Sequence, residues 1–369
     1  MKILFLTNDM RVKHFHMASA IRAKMDAEIH LMHIWPTHRV VQAKFGSFFG
    51  SGPIARFIKD AKESKVFDTV QKYNANAFDK LQPSVVYVND LDGVRRCFPP
   101  IAKPHRFKLV CDIEDLAATD IDVHKDMIPL KREHEIISSP DIDVFLFGSQ
   151  AEYNEAHKVY TVLSRLSSRG TSFVSTRIQY PFVAESTVPF YTDGYTPPKN
   201  DEFSVVYAGS IWEGGYRDNY STIIEFGKHG INLDVYLLND WNAVNWKILS
   251  DISKKYPSVK AFPRLKLFEV KQVIQKYHAG LYLTGDFNKV RATYGMKPLE
   301  YAYAGVVPVG ITDGRDIEPI RNLSNGRPFG YISEVKDVED TFDFENLLKS
   351  FDWDFHLMDN HLDKFSELM

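Results

Sequence analysis

The sequence predicts an α/β protein made of two doubly wound parallel domains, and three observations carry that expectation. Short apolar runs alternate with helical patterns along most of the chain, as in a parallel sheet whose strands are joined by crossover helices. Polar residues gather directly after the apolar runs, as in Asn89-Asp90-Leu91-Asp92 and Asp112-Ile113-Glu114-Asp115, the place where open parallel sheets bind ligands. The pattern also restarts after a Pro- and Gly-containing break, Glu185 to Glu202, with a new apolar run ending in Gly209-Ser210. A chain of 369 residues is too long for one comfortable core and suits two.

The elements follow in order. Met1 to Thr7 reads as the first strand, stopped by Asn8-Asp9, and a helix runs from Phe15 to Met25. Glu28 to Ile34 is a second strand, Ser84 to Val88 a third, Phe107 to Cys111 a fourth and Val144 to Gly148 a fifth. A helix begins at Ala151. In the second half, Phe203 to Ser210, Leu233 to Leu237, Val259 to Phe262, Gly280 to Leu283 and Val306 to Ile311 read as strands. The tail from Phe344 to Met369 is helical in pattern, with Leu347, Leu348, Phe351, Phe355 and Leu362 on an apolar face.

Composition narrows the function classes. Hydrophobic content of 44% and aromatic content of 13% fit a well-packed globular protein. The net charge of -3 gives no sign of a nucleic-acid partner. Cys97 and Cys111 have no zinc-ligand spacing and fit a reduced compartment as buried thiols. The opening apolar run is too short for a signal peptide's core, and no segment approaches the ~20 apolar residues of a spanning helix. The expected location is cytoplasmic, at most peripheral at the inner face of a membrane.

The densest chemical signal lies between Tyr277 and Gly310. An apolar strand is followed by a polar loop with Gly285, Asp286 and Asn288. Gly295-Met296-Lys297-Pro298-Leu299-Glu300 then opens a helix, with proline in the first turn where its missing N–H costs nothing. A helix start binds anions through free N–H groups and the dipole. Lys297 there suits a diphosphate, and Glu300 suits the hydroxyls of a ribose. A plain βαβ unit with a solvated Lys and Glu explains the same spacing.

This segment resembles the donor-site unit of GT-B-fold glycosyltransferases, which runs roughly PLKxxEYxAxGxPVV before a strand. The matching residues are Lys297, Glu300, Tyr301, Ala304, Gly305 and Pro308-Val309. The likeness extends to the first half, where Asn89-Asp90, Asp112-Ile113-Glu114-Asp115, Glu133-His134-Glu135 and Asp143 to Ser149 stand in the order of a GT-B N-terminal domain. It implies two Rossmann-like domains facing each other across a cleft. Residues 1–188 would form the acceptor-binding domain, 189–202 a linker and 203–345 the nucleotide-sugar-binding domain. The tail, 346–369, would cross back over the first domain.

The resemblance also implies roles. Lys297 would hold the diphosphate and Glu300 the ribose, with Gly209 and Ser210 in the turn beside them. Arg264, after Phe262-Pro263, would lie near the nucleotide base, and Asp286 near the donor sugar. Two departures stand out. The position eight residues before Glu300 is Ala292, where many retaining members have a glutamate. Ser210 stands where they have an arginine, leaving Arg217 and Arg291 as candidate phosphate partners.

Glu114 stands where the D-x-H-E pattern of retaining members has histidine. A carboxylate there suits a general base for an inverting displacement. Asp115, Asp92, His14 and His16 compete for that role, and capping or ion pairing accounts for any of the acids equally. Retention or inversion stays open.

The implied activity is transfer of a sugar from a UDP- or GDP-sugar to a hydroxyl of a glycan or lipid-linked acceptor, in surface polysaccharide or glycoconjugate synthesis. Neither metal nor cofactor is expected, since cations and a helix dipole neutralise the leaving diphosphate and the nucleotide sugar is a co-substrate. A sugar-nucleotide epimerase of the same fold, or a noncatalytic sugar-nucleotide-binding subunit, fits many of the same residues. From His38 to Lys65, Lys44, Arg56, Lys59, Lys62 and Lys65 interleave with Phe45, Phe48, Phe49 and Phe57. That mix suits either a membrane-surface contact or, more simply, an acceptor loop beside a solvated helix.

Overall fold

The structure, a computed structural model, describes residues 1–7, 12–33, 52–89, 107–113, 128–139, 142–147, 150–167, 181–183, 200–209, 211, 219–237, 243–263, 265–266, 269–283, 297, 300–301 and 304–311. Its strands form two sheets in which every pairing is parallel.

Among the described residues the first sheet has seven strands: β1 (Lys2–Thr7), β2 (Glu28–His33), β3 (Thr69–Lys72), β4 (Val85–Asn89), β5 (Lys108–Ile113), β6 (Val144–Phe147) and β7 (Pro181–Val183). Their spatial order is β3-β2-β1-β4-β5-β6-β7. The helices interleaved with them are α1 (Val12–Lys24), α2 (Gly52–Glu63), α3 (Ala75–Leu81), α4 (Ile128–Ile137) and α5 (Gln150–Ser167).

Alternation of side chains along each strand sends residues to two cores. Ile3, Phe5, Val85, Tyr87 and Val110 meet Phe15 and Ile21 of α1 and Ala61 of α2. Leu4, Leu6, Val86, Val88, Leu109 and Cys111 meet Leu130 and Ile137 of α4 and Tyr160 of α5. These strands read as unbroken apolar runs because both faces are covered.

Among the described residues the second sheet has five strands: β8 (Val205–Gly209), β9 (Leu233–Leu237), β10 (Val259–Phe262), β11 (Ala279–Leu283) and β12 (Val307–Ile311), in the order β10-β9-β8-β11-β12. Between them lie α6 (Asn219–Lys228), α7 (Ala243–Lys255) and the short α8 (Val270–Ile274). Val205, Tyr207, Leu233 and Val235 pack with Ile223 and Phe226 of α6 and Leu249 of α7. Val206 and Ala208 pack on the other face with Ile274, Tyr301 and Ala304.

The strands expected from sequence are present, several with ends moved by a residue or two. The short strands β3 and β7 were not expected. Thr69 to Lys72 is mostly exposed, so it carries no apolar signal, and only its pairing with β2 identifies it. Most of the expected linker and the whole expected tail fall outside the described residues.

Between the sheets, Lys266 Nζ lies 3.0 Å from Glu63 of α2 and 3.7 Å from Glu269. Lys59 pairs with Glu63 one turn along α2, at 3.7 Å. Among the described residues no helix is long and apolar enough to cross a membrane.

Candidate functional site

Strand order reverses at β1/β4 in the first sheet and at β8/β11 in the second. Crevices open beyond the carboxyl ends of such strand pairs. At β8/β11 the opening is built into the hydrogen-bond ladder. The two strands pair only at Val205–Ala279 and Val206–Gly280. Their outer neighbours stay paired much further, β8 with β9 to Gly209–Leu237 and β11 with β12 to Leu283–Ile311. The sheet therefore splits along its middle.

Tyr301 occupies the start of the split. Its hydroxyl accepts from the Ala208 N–H at 3.1 Å and donates to the Leu281 carbonyl at 3.3 Å. One phenol thus satisfies a donor and an acceptor that would otherwise have paired across the ladder. Its ring lies against Gly280, where a Cβ would fall 2.4 Å from the ring. The chain then leaves its helical turn through Gly305, at φ 75°. The Val306 N–H reaches back to the Tyr301 carbonyl at 2.9 Å, the bond that closes a helix end on a left-handed glycine.

Lys297 and Glu300 sit beside this wedge. Lys297 Nζ lies 4.8 Å from the Tyr207 ring centroid and 3.5 Å from its hydroxyl oxygen. A Cβ on Gly209 would fall 2.1 Å from that ammonium, so Lys297 reaches the carboxyl end of β8. Burial pushes the Glu300 carboxyl up to about 7, with the Lys297 charge pulling the other way. A cation and a titratable carboxyl one helical turn apart thus stand at the mouth of the split.

Ile211, two residues after β8, is anchored by buried polar groups. Tyr220 donates to Asn245 Oδ1 at 2.6 Å, and Asn245 Nδ2 donates to the Ile211 carbonyl at 3.2 Å. All three residues are buried. At the edge of the same sheet, Tyr236 stacks on Phe262 at 4.8 Å and 18°. The Tyr236 hydroxyl lies 3.0 Å from that of Tyr277, which donates to Asp234 at 2.6 Å.

Beside the first sheet's reversal point, between β4 and β5, polar side chains are buried against each other. Tyr87 donates to Asp112 Oδ2, and Tyr87, Asp112 and His14 are 2%, 0% and 1% exposed. Burial, with the Asp112 charge beside it, raises the Tyr87 phenol well above its ordinary range. The His14 ring meets Tyr87 edge-on at 6.0 Å. On the opposite face Tyr160 donates to Glu133, and the His134 ring lies 5.5 Å from that of Tyr160. Burial lowers the His134 imidazole. Glu133 thereby ties α4 to α5 inside the core.

Of the residues expected at the site, the structure brings together Gly209, Lys297 and Glu300, and places His14 beneath α1 against Tyr87. Glu114, Asp115, Ser210, Arg217, Arg264, Asp286 and Arg291 lie outside the described residues. Sequence reasoning did not single out Tyr207, Asn245 or the Tyr87–Asp112 pair. Tyr207 had a usable signal, since it stands two residues before Gly209 on one strand face. Asn245 had none, and Asp112, read as the start of the polar segment after the fourth strand, lies within β5, buried against a Tyr87 distant in sequence. Among the described residues no group of His, Cys, Asp and Glu could hold a metal ion.

No protein-family model matches the sequence, and no curated protein matches it. Solved structures do match. HepE of Anabaena in complex with UDP-glucose is 12% identical, with TM-score 0.61, over 100% of this chain and 98% of that one. Sucrose-phosphate synthase of Thermosynechococcus elongatus is 10% identical, with TM-score 0.57, over 100% and 98%. The UDP-GlcNAc 2-epimerase of Neisseria meningitidis bound to UDP-GlcNAc is 10% identical, with TM-score 0.53, over 100% and 99%. At such identities the likeness shows the fold, and the fold is that of GT-B glycosyltransferases, with two Rossmann-like domains.

Proposed function

We propose that the protein is a glycosyltransferase that moves a sugar from a UDP- or GDP-sugar to a hydroxyl of a glycan or lipid-linked acceptor, in surface polysaccharide or glycoconjugate synthesis. One observation carries this reading: Lys297 and Glu300 stand together at the mouth of the β8/β11 split. The ammonium offers a point charge to a diphosphate, and the carboxylate accepts from ribose hydroxyls. UDP-sugars bound to two proteins of the same fold support the donor class.

In the reaction, the bond from the anomeric carbon to the diphosphate oxygen breaks and its electron pair leaves with the nucleotide. A bond to the acceptor oxygen forms, and the acceptor proton passes to a base. Lys297 stabilises the charge that grows on the diphosphate, with Arg217, Arg264 and Arg291 as candidate partners. Gly209 and Ser210 would line the turn beside it, and Asp286 would meet the sugar. Glu114 and Asp115, directly after β5, are the candidate bases. His14 is the third candidate, and its 1% exposure favours the two carboxylates over it. Neither a metal nor a cofactor is needed in this scheme. Peripheral attachment to the inner face of the cytoplasmic membrane would suit a lipid-linked acceptor.

A second reading is epimerisation of a sugar nucleotide, favoured by the likeness to the 2-epimerase over the whole chain. Thermal shift against a panel of nucleotide sugars identifies the donor, because a ligand raises stability with the logarithm of its concentration over Kd. Product analysis of that donor without acceptor then separates the readings. Slow hydrolysis to free sugar supports a transferase, and a C2-epimerised nucleotide supports the epimerase. No binding and no turnover would point to a noncatalytic subunit.

A further inference from the structure

Tyr207 sits in the middle of β8 with 1% of its surface exposed. The Lys297 ammonium stands over its ring at 4.8 Å, inside the range in which a cation is drawn to an aromatic face. The phenol oxygen, at 3.5 Å, is a longer and secondary acceptor. Side chains two apart on a strand share a face, so a side chain at 209 would stand between this phenol and the carboxyl end of the sheet. Position 209 is glycine. A Cβ there would fall 2.1 Å from the Lys297 ammonium and 2.7 Å from the Tyr207 hydroxyl. One empty volume therefore admits both groups. A lysine ammonium on four methylenes has many positions open to it, and a buried ring at the rim of the split selects one.

We infer that Tyr207 is the positioning residue for Lys297, fixing its ammonium above Gly209 at the open end of the β8/β11 split, where an anionic diphosphate would meet it. This rests on the reading of Lys297 as the diphosphate partner. The ring acts through Lys297 and touches no reacting atom. It holds the charge in place before the ligand arrives, so less side-chain freedom is lost on binding.

The test is titration calorimetry with UDP and with uridine, which lacks the phosphates, and GDP with guanosine as a parallel pair. Lys297→Met should weaken UDP and spare uridine. Tyr207→Leu should weaken UDP about 3- to 30-fold, the range for a cation held over an aromatic face, again sparing uridine. Tyr207→Phe keeps the ring and should retain most of the affinity. Gly209→Ala should evict the ammonium and reproduce the loss without emptying the core, which covers the case in which Tyr207→Leu does not fold. In the Lys297→Met background, Tyr207→Leu should add nothing further.

If Lys297→Met weakens UDP while Tyr207→Leu and Gly209→Ala do not, the positioning role is wrong and the site reading stands. Equal losses for UDP and uridine in the Tyr207 variants would make Tyr207 a packing residue only. If Lys297→Met binds both diphosphates as well as the unaltered protein does, the site reading falls and this inference with it.

Discussion

The first sheet stays paired across its reversal point through Ile3–Val85 to Leu6–Val88, whereas the second parts after Val206–Gly280. Polar groups follow the same division. Next to the first reversal point, between β4 and β5, the Tyr87 phenol donates to the Asp112 carboxylate inside the core. At β8/β11 the Tyr301 phenol holds the split open, and Lys297 and Glu300 stand at its mouth. The lesson is that one topology can serve as a brace or as an opening. What decides is whether the ladder or a side chain satisfies the central strands' backbone groups.

On the proposed function, loss of the buried polar pair beside the first reversal point should act on stability, and loss of the Lys297 charge at the second on ligand affinity. The largest effect is expected from Asp112→Ala, which leaves the buried Tyr87 hydroxyl without its acceptor and should cost about 3 kcal/mol in urea unfolding. UDP affinity of the folded fraction should hold. A small stability loss with a large affinity loss would make the Tyr87–Asp112 pair part of a ligand site and end the comparison.

Gly280→Ala tests the wedge. A Cβ would meet the Tyr301 ring at 2.4 Å, and a buried ring has little room to move. Overpacking of this kind should cost about 2 kcal/mol. A neutral outcome would show that Tyr301 can shift and that the split does not depend on its position.

Lys297→Ala should do the reverse. On the proposed function it weakens UDP by about 10- to 150-fold, as expected for loss of a charge-assisted contact, with the unfolding midpoint little changed. Intact UDP affinity would remove the charge from the binding reaction and leave the second split with a purely structural lysine.

The smallest effect on affinity is the pH dependence set by Glu300, whose carboxyl burial raises from an ordinary 4.5 to about 7. A raised folded-state value stabilises the protein fully below the unfolded value, and that contribution is lost as pH climbs through the folded one. The ligand-free protein should therefore lose some stability between pH 4.5 and 7. On the proposed function, affinity for UDP should move the other way, rising up to about tenfold from pH 6 to 8, because the ionised carboxylate would accept from both ribose hydroxyls and the protonated form would not. Glu300→Gln should flatten that rise, and a slope that survives the substitution would assign it to another group.

Strand positions, the doubly wound class and the nearness of Lys297 and Glu300 on one helical turn were legible in the sequence. Each is written in local pattern: apolar runs such as Ile3 to Leu6 and Val205 to Ala208, and a glycine and proline bracketing the lysine. Tertiary structure alone decided where the ladder parts and where buried side chains brace it. That choice rests on the Tyr301 hydroxyl reaching Ala208 and Leu281, on the Tyr207 ring beneath Lys297, and on Tyr87 meeting Asp112. These partners stand 93, 20, 90 and 25 residues apart, so no local periodicity can encode their meeting. Only the crossover connections that return each strand to the sheet bring them within reach.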